Sequence, residues 1–245
     1  MSTPRIYEGP FDREPWPAKL PATVVDARGE RRIHGYCVRG DLAHGHGIAD
    51  LAWLAFQGEL PSLAAREALE TAIIYLAPVH VGEAGSHAAL LARVVRAKPA
   101  ALVAVTATAL AEQGRTEREA LAPWLAWLDA GDAGDASARL PACALEPAPS
   151  AEAIEDQREL AVRTAAWFGA ARALPATPVL SRAACAHALL HRLGLRDAHV
   201  VEALAVWARL LVAVAESASL PAGAIQAYPA RLPDYQYVDH EGRSA

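Results

Sequence analysis

Residues 31–62 read RRIHGYCVRGDLAHGHGIADLAWLAFQGELPS and contain the most distinctive pattern in the chain. The pattern has three parts: a short strand that ends in His34-Gly35-Tyr36, a turn through Gly40-Asp41-Leu42, and an apolar helix. The helix is predicted over residues 48–56, because Gly58 stops it and a proline follows. Apolar side chains occupy nearly its whole circumference, so we expect most of this helix to be buried.

Two extended segments precede this helix. Residues 22–26 and 31–37 predict the strands of a β-hairpin that covers residues 22–37, with Arg28-Gly29 at its turn. Residues 1–21 contain five prolines and cannot form a helix. They predict an extended arm that lies along the surface of the same subunit or of a partner subunit.

Beyond Pro61 the chain is almost entirely helical, because apolar residues recur at helical spacing between caps and stops. The predicted helices are residues 63–76, 88–97, 99–114, 116–131, 152–173, 182–195 and 198–218. Their predicted caps are Ser62, Ser86, Thr116, Ser150, Ser181 and Asp197. Residues 131–150 predict a loop, and the prolines of residues 219–245 predict an extended C-terminal arm. We therefore predict one all-α domain, residues 1–245, with a helical core over residues 48–218.

The composition excludes several classes of protein. Hydrophobic residues make up 53% of the chain, enough for one large core or two modest ones. A net charge of −5 gives no reason to expect a nucleic acid as partner. The start lacks the apolar core of a signal peptide, and Glu202 and Arg209 interrupt the longer of the two apolar runs, so no membrane span is expected. The three cysteines form neither a disulfide framework nor a zinc pattern, which favours the cytoplasm.

Residues 34–61 resemble the N-terminal signature of the citrate synthase family. In that family a short hairpin leads into Tyr-Arg-Gly-Tyr, then a Leu-anchored segment, then an apolar helix closed by Gly-Glu-Leu-Pro. The landmarks at matching spacing here are His34-Gly35-Tyr36, Asp41-Leu42, residues 50–56 and Gly58-Glu59-Leu60-Pro61. The resemblance implies an all-α, citrate synthase-like helical domain with a small N-terminal β-hairpin, similar to the short citryl-CoA lyase-like branch. Nothing between residues 150 and 181 resembles the family's Gly-His-Arg region, which implies a reduced small domain.

The same resemblance implies that the standard catalytic residues are absent. The family's His-Ala-Asp-His-Glu-Leu-Asn segment is followed by Ala-Arg-Val-Val, which matches residues 92–95. Counting back places His80 on the first histidine but Glu83 on the second, which binds the oxoacid in the family. The Gly-Pro-Leu-His-Gly-Gly-Ala motif would lie near residues 112–117, where its catalytic histidine is missing. The catalytic aspartate would lie near Ala183, where no aspartate occurs.

The best site candidates lie just before a predicted helix N-terminus, whose dipole favours an anion. Catalytic roles are assigned to His80 and Glu83, and substrate-binding roles to His34, His87 and Arg231. Arg231 is chosen because Arg231, Tyr235 and Tyr237 resemble the family's C-terminal arm, which contributes an arginine to the partner's site. We expect no metal ion and no cofactor, with a CoA thioester as the candidate substrate.

Three other clusters leave alternatives open. His44 and His46 supply either two metal ligands or a polar connector. His187 and His191, one helical turn apart, form either a pair of ligands or part of a partly buried helix face. The arginines at 28, 31 and 32 either contact a CoA phosphate or belong to a solvated hairpin.

Two functional hypotheses follow. The first is a non-catalytic, citrate synthase-like pseudoenzyme that binds a ligand or serves as a subunit for a complete relative. The second is an enzyme with replaced catalytic residues that joins an acyl-CoA to a 2-oxoacid or cleaves a citryl-CoA-like thioester. A homodimer is expected in either case, because such apolar helices would leave a large patch exposed in a monomer.

Overall fold

The computed structural model describes residues 21–26, 29–130 and 140–219, which fall into two compact units that meet in sequence at Pro61 and Ser62. Several predicted features therefore lie outside the described residues. They are Arg28 of the hairpin turn, residues 1–20 of the N-terminal arm, residues 131–139 of the loop, and residues 220–245 of the C-terminal arm with Arg231.

The N-terminal unit contains a small antiparallel sheet of three strands, where the sequence predicted two. The strands are β1 (Val25–Asp26), β2 (Arg32–Ile33) and β3 (Tyr36–Cys37), in the order β1-β2-β3. Val25 pairs with Ile33, which in turn pairs with Tyr36. The predicted single strand over residues 31–37 is wrong because the chain reverses at His34 (φ 47°) and Gly35 (φ 87°). Two successive residues with positive φ form the tight turn that suits a hairpin's twist.

Three helical segments complete this unit. A five-residue π-helical turn, Val38–Leu42, is followed by the short helix α1 (Ala43–Gly45) and by α2 (Ile48–Gln57). The predicted stop at Gly58 is confirmed, since Gly58 adopts φ 80° and ends α2 in the left-handed conformation.

The expectation that most of α2 is buried is wrong. Only Ala49, Asp50 and Leu54 are buried, whereas Ile48 is 63% and Phe56 is 42% exposed. The apolar side chains surround the helix, but only the face that contains Ala49, Asp50 and Leu54 is buried.

The C-terminal unit consists of six described helices. They are α3 (Leu63–Leu76), α4 (Ala84–Val94), α5 (Pro99–Ala130), α6 (Ala151–Phe168), α7 (Arg182–Arg192) and α8 (Ala198–Ser219). The most extensive packing is of α5 against α4 and α8, and of α3 against α7. The buried core is built mainly from leucine and alanine around Trp124, which is fully buried in α5. The small alanines allow this close approach of the helices.

Four of the predicted N-cap residues, each directly before the first apolar turn of a helix, are found in the structure. The hydroxyls of Ser62, Ser150 and Ser181 each accept a hydrogen bond from the backbone N–H three residues later, at 3.1–3.3 Å. The carboxylate of Asp197 accepts from the N–H groups of His199 and Val200. These four predicted helix starts are confirmed.

The predicted start of α4 is wrong. The helix begins at Ala84 rather than Ala88, and Ser86 is not its cap but a fully buried residue of its first turn. Gly85 allows the first turn of α4 to lie this close to α5, because a Cβ at residue 85 would lie 2.2 Å from Cδ2 of Leu110. The first turn of α4 is therefore pressed against α5, and the helix ends earlier than predicted, at Val94.

The largest error concerns α5, which is one helix of 32 residues rather than two helices separated at residues 114–116. Gly114 does not stop the helix, since a Cβ at that position would lie 3.2 Å from Cβ of Ala205 in α8. The glycine instead permits close contact between the two helices. Thr116 does not cap a new helix, because its hydroxyl donates to the carbonyl of Glu112 within the same one. Pro123 lies inside the helix.

The remaining boundaries differ by a few residues. Helix α6 ends at Phe168 rather than Ala173, because Gly169 turns the chain at φ 85° into a short 3-10 turn, Ala170–Arg172. Within the described part of the predicted loop, a 3-10 turn at Ala142–Ala144 precedes a bridge between Leu145 and Leu180. The predicted fold class is confirmed for the described residues: helices dominate, with one small sheet near the N-terminus.

Removing a cap tests the helix starts. We expect Ser150→Ala to lower the free energy of unfolding by about 1 kcal/mol, because the N–H of Ala153 then loses its acceptor at 3.1 Å. Urea unfolding followed by circular dichroism measures the change. Ser219→Ala is the matched control, because its hydroxyl bonds a carbonyl at the other end of a helix. Equal losses in the two variants would contradict the capping role.

Candidate functional site

Two of the residues predicted to form the site, His80 and Glu83, lie in the loop of residues 77–83, which connects α3 to α4. The backbone N–H of His80 donates to Oε1 of Glu83 at 2.8 Å, and Nδ1 of His80 accepts from the N–H of Gly82 at 3.0 Å. The side chain of His80 is exposed, and Glu83 is half-buried at the N-cap of α4. The structure therefore brings His80 and Glu83 together, but mainly through the backbone of the loop.

The carboxylate of Glu83 also reaches α5. Its Oε2 accepts a hydrogen bond from Nε2 of Gln113, and the same Nε2 donates to Oε1 of Glu117 at 3.1 Å. Gln113 and Glu117 are four residues apart and therefore share a face of α5. An amide thus lies between two carboxylates, and it connects the loop to the core of the C-terminal unit.

Glu117 is the centre of a charged cluster that joins α5, α7 and α8. Its Oε2 accepts from Nη2 of Arg209 at 2.6 Å and lies 3.8 Å from Nε2 of His187. Arg209 also donates from Nε to the carbonyl of Leu76, at the end of α3, at 3.1 Å. The side chains of Arg209 and His187 are 4% and 1% exposed, so both are removed from water, whereas Glu117 is 23% exposed.

The surroundings of Glu117 keep it ionised. Burial on its own raises the pKa of this carboxyl, but His187, Arg209 and Gln113 together outweigh burial and lower the pKa to about 2. A carboxylate with such a low pKa is a weak base near neutral pH. Glu117 is therefore better suited to binding cations and hydrogen-bond donors than to removing a proton from a carbon atom.

Several polar atoms in this cluster are buried without a hydrogen-bond partner in the described structure. They are Nη1 of Arg209, Nε2 of His187 and Oε1 of Gln113. The hydroxyl of Ser86, in the first turn of α4, is also buried without a hydrogen-bond partner in the described structure. Buried polar atoms are rarely left unsatisfied in proteins, so this region has unused capacity for hydrogen bonding to water or a ligand.

The low pKa of Glu117 predicts a dependence of stability on pH. Because the pKa falls from its ordinary value of 4.5 to about 2 on folding, the stabilising contribution is complete above pH 4.5 and is lost as the pH falls towards 2. We expect the stability difference between the wild type and Glu117→Gln to narrow over that range. Urea unfolding at several pH values measures it, and a difference independent of pH would contradict the assignment.

The other predicted site residues lie in different places. His87 is half-buried in α4, and its backbone N–H donates to the carbonyl of Glu83. His34 lies at the hairpin turn of the N-terminal unit, where its Nε2 is 3.4 Å from the carbonyl oxygen of Ala55 in α2. Arg231 lies outside the described residues. Substrate-binding roles for these three residues remain predictions.

The alternative clusters resolve in part. Nδ1 of His46 lies 3.4 Å from Oδ2 of the buried Asp50, which accepts from the N–H of Gly47 at 2.9 Å, so His46 contributes to the start of α2. Within the described ranges, no group of three or more His, Cys, Asp or Glu residues is arranged to hold a metal ion. All three cysteines are free thiols.

His187 and His191 of α7 were predicted to form either a pair of ligands or part of a partly buried helix face, and the structure shows the buried face. His187 faces Glu117, and Nε2 of His191 lies 2.9 Å from Oδ1 of Asp129 in α5. On the hairpin, Nη1 of Arg32 donates to the carbonyl of Gly35 at 2.7 Å, which closes the β2–β3 turn. Arg32 therefore has a structural contact, whether or not it meets a phosphate.

A separate cleft of about 720 Å³ lies between α3, α6 and α7 of the same unit. Its walls carry five carboxylates and one arginine: Glu146, Glu152, Glu155, Asp156, Glu159 and Arg182. The hydroxyl of Tyr75 donates to Asp156, and burial together with this carboxylate raises the pKa of Tyr75. The negative charge of this cleft disfavours anions such as CoA thioesters and oxoacids.

One helix of the described chain, α8, is long and apolar enough to cross a membrane by length and composition alone. In this structure it packs against α4 and α5, and its Arg209 is paired with Glu117. In this structure 33% of its apolar window is buried.

Sequence reasoning missed the cluster around Glu117, which consists of Gln113, His187 and Arg209 together with Glu117 itself. One signal was available. Arg209 interrupts an otherwise apolar run, and a cation at such a position is normally paired in the interior. The sequence does not show which carboxylate pairs with it, because Glu117 is 92 positions away.

Comparisons with known proteins support the fold. No protein-family model matches the chain, and no curated protein matches it. Among solved structures, the chain resembles that of citryl-CoA lyase from Hydrogenobacter thermophilus, with a TM-score of 0.60 and 15% sequence identity. The match covers 91% of this chain and 96% of the lyase chain. The chain therefore has the fold of a citrate synthase-like helical protein, as residues 34–61 predicted.

Proposed function

We propose that this chain is a citrate synthase-like protein that lacks the family's standard catalytic residues and acts as a ligand-binding or partner subunit. The observation that carries the proposal is the place of Gln113. It belongs to residues 112–117, where the resemblance expects the catalytic histidine, and it lies between Glu83 and Glu117. An amide side chain does not ionise near neutral pH, so it cannot act as a general acid or base.

The nearby carboxylates also support a holding role. Enolate formation from a thioester needs a base whose pKa lies near the working pH. Glu117 has a pKa of about 2, and Glu83 already accepts hydrogen bonds from the N–H of His80 and from Gln113. Both oxygens of Glu83 are therefore occupied by donors of the protein itself.

The ligand of this proposal is a small anion or a CoA thioester. The first N–H groups of α4 and the positive end of its dipole lie beside the exposed His80, which suits a carboxylate or phosphate. His87, one turn further along α4, is the second candidate contact. No cofactor or metal ion is part of this proposal.

The alternative is an active enzyme that condenses an acyl-CoA with a 2-oxoacid or cleaves a citryl-CoA-like thioester. The observation in its favour is the exposed imidazole of His80 in a loop that is also fixed by Glu83. In this reading His80 and Glu83 are the catalytic residues. The solved lyase with the same fold keeps cleavage among the reactions to be assayed.

Release of free CoA separates the two readings. The purified protein is assayed with acetyl-CoA and oxaloacetate, and then with citryl-CoA, beside a complete family enzyme as positive control. We expect no release above background from either. Release that requires the substrates and disappears in both His80→Ala and Glu83→Ala would establish the alternative.

Binding is measured independently of turnover. We expect isothermal titration calorimetry to detect binding of acetyl-CoA or oxaloacetate to the wild type. We expect His80→Ala to weaken that binding. His199→Ala is the matched control, since His199 is an exposed histidine in the first turn of α8. An equal loss of affinity in the two variants, or no binding by the wild type, would reject the proposed site.

The partner part of the proposal rests on an open groove of half-buried apolar side chains. Along α5 and α8 a groove of about 510 Å³ is lined almost entirely by apolar residues, among them Ala107, Val206 and Trp207. We propose a cytoplasmic homodimer, with a complete citrate synthase-family protein as the alternative partner. Light scattering of the protein alone and mixed with such a relative gives the masses, and a monomer under both conditions would reject this part.

A further inference from the structure

We infer that Glu117 is a positioning residue for the loop of residues 77–83 and holds this loop at both of its ends. The inference deepens the proposed function, because it concerns the loop that carries His80. It does not depend on what that site binds.

The first end of the loop is held through Arg209. The carbonyl of Leu76, the last residue of α3, has no partner inside its own helix, and it accepts from Nε of Arg209 at 3.1 Å. Nη2 of the same guanidinium donates to Glu117 at 2.6 Å. The ion pair therefore fixes the orientation of the group that caps α3.

The second end is held through Gln113. Nε2 of Gln113 donates to Glu117 and also to Glu83 at the N-cap of α4. The other oxygen of Glu83 accepts from the N–H of His80 at 2.8 Å. A continuous path of hydrogen bonds thus runs from Leu76 through Arg209, Glu117 and Gln113 to the loop itself.

Both oxygens of Glu117 are needed for this path. Oε2 serves Arg209 and Oε1 serves Gln113, so a carboxylate satisfies two donors on opposite sides. Glutamine at this position has the same shape but only one acceptor oxygen. In Glu117→Gln the side-chain oxygen can still accept a hydrogen bond from Arg209 or from Gln113, but not from both. The amide N–H₂ group then faces the second donor, so that hydrogen bond is lost and one end of the loop is released.

The test is native-state amide exchange followed by NMR on the full chain. In Glu117→Gln we expect the N–H groups of His80 and Gly82 to exchange about tenfold faster, because the loop opens once its support is lost. A second readout is the tautomer of His80. Its Nδ1 accepts from the N–H of Gly82 in the wild type, so the ¹⁵N signature of a proton on Nε2 is expected to weaken in the variant.

Three further variants separate positioning from general loss of stability. Gln113→Leu removes both hydrogen bonds of the amide but leaves Glu117 paired with Arg209. It is expected to reproduce the faster exchange, even where Glu117→Gln does not fold. Glu119→Gln removes an exposed ion pair with Arg115 on the same helix and is expected to leave the loop unchanged. Leu160→Ala weakens the core in α6 and is expected to leave exchange in the loop at its wild-type rate.

Unchanged exchange in Gln113→Leu, or equal acceleration in Leu160→Ala, would overturn the inference. Neither result depends on CoA release or on ligand binding. A failure of the positioning role is therefore distinguishable from a failure of the proposed function.

Discussion

Glu117→Ala is expected to lower the free energy of unfolding by about 3–5 kcal/mol, the range found when one partner of a buried ion pair is removed. The variant leaves the guanidinium of Arg209, 4% exposed, without its carboxylate inside the C-terminal unit. It also removes an acceptor from Gln113 and a neighbouring charge from His187. Chemical denaturation of the purified variant measures the loss.

Two comparisons sharpen this prediction. Glu119→Ala, on the exposed side of the same helix, is expected to cost less than about 1 kcal/mol, because exposed ion pairs contribute little. The double variant Glu117→Leu with Arg209→Met replaces both charges by apolar groups and is expected to be more stable than Glu117→Ala. If the double variant is the less stable protein, the ion pair is not the source of the effect.

Gly85→Ala is expected to cost about 1–3 kcal/mol, because it places a methyl group where the core is already filled. The added Cβ would lie 2.2 Å from Cδ2 and 2.6 Å from Cγ of Leu110, a fully buried side chain. Alanine otherwise favours helix over glycine, so propensity alone would predict stabilisation. The sign of the measured change therefore separates packing from propensity.

A compensating change tests the contact directly. Leu110→Ala opens space opposite residue 85 and is expected to be destabilising alone, while the double variant with Gly85→Ala costs less than the sum of the two. Gly45→Ala, where an added Cβ meets nothing within 4 Å, serves as the matched control for glycine replacement. Additive costs at residues 85 and 110 would show that the two side chains do not meet.

The features predicted correctly from the sequence are those whose causes are local. Ser62 and Asp197 cap helices because the groups they bond lie two or three positions away. His80 and Glu83 were placed together because only two residues separate them. In each case the spacing along the chain is also the spacing in space.

The errors come from contacts between distant segments. Gly114 and Thr116 were predicted to end one helix and to cap the next. In the structure Gly114 instead permits close packing against Ala205 within one continuous helix. The cluster was missed because Gln113 bonds Glu83 over 30 positions of sequence and Arg209 bonds Glu117 over 92 positions. Such pairs depend on how helices cross, which helical periodicity alone does not determine.

The pairing of Arg209 with Glu117 also bears on the order in which the chain is made. Ribosomes complete α5 before α8, so the carboxylate already exists when the long apolar helix α8 emerges. Until the two helices meet, a segment with the hydropathy of a membrane span carries an unpaired cation. The ion pair therefore forms only after α8 has been synthesised, when this segment packs against α5.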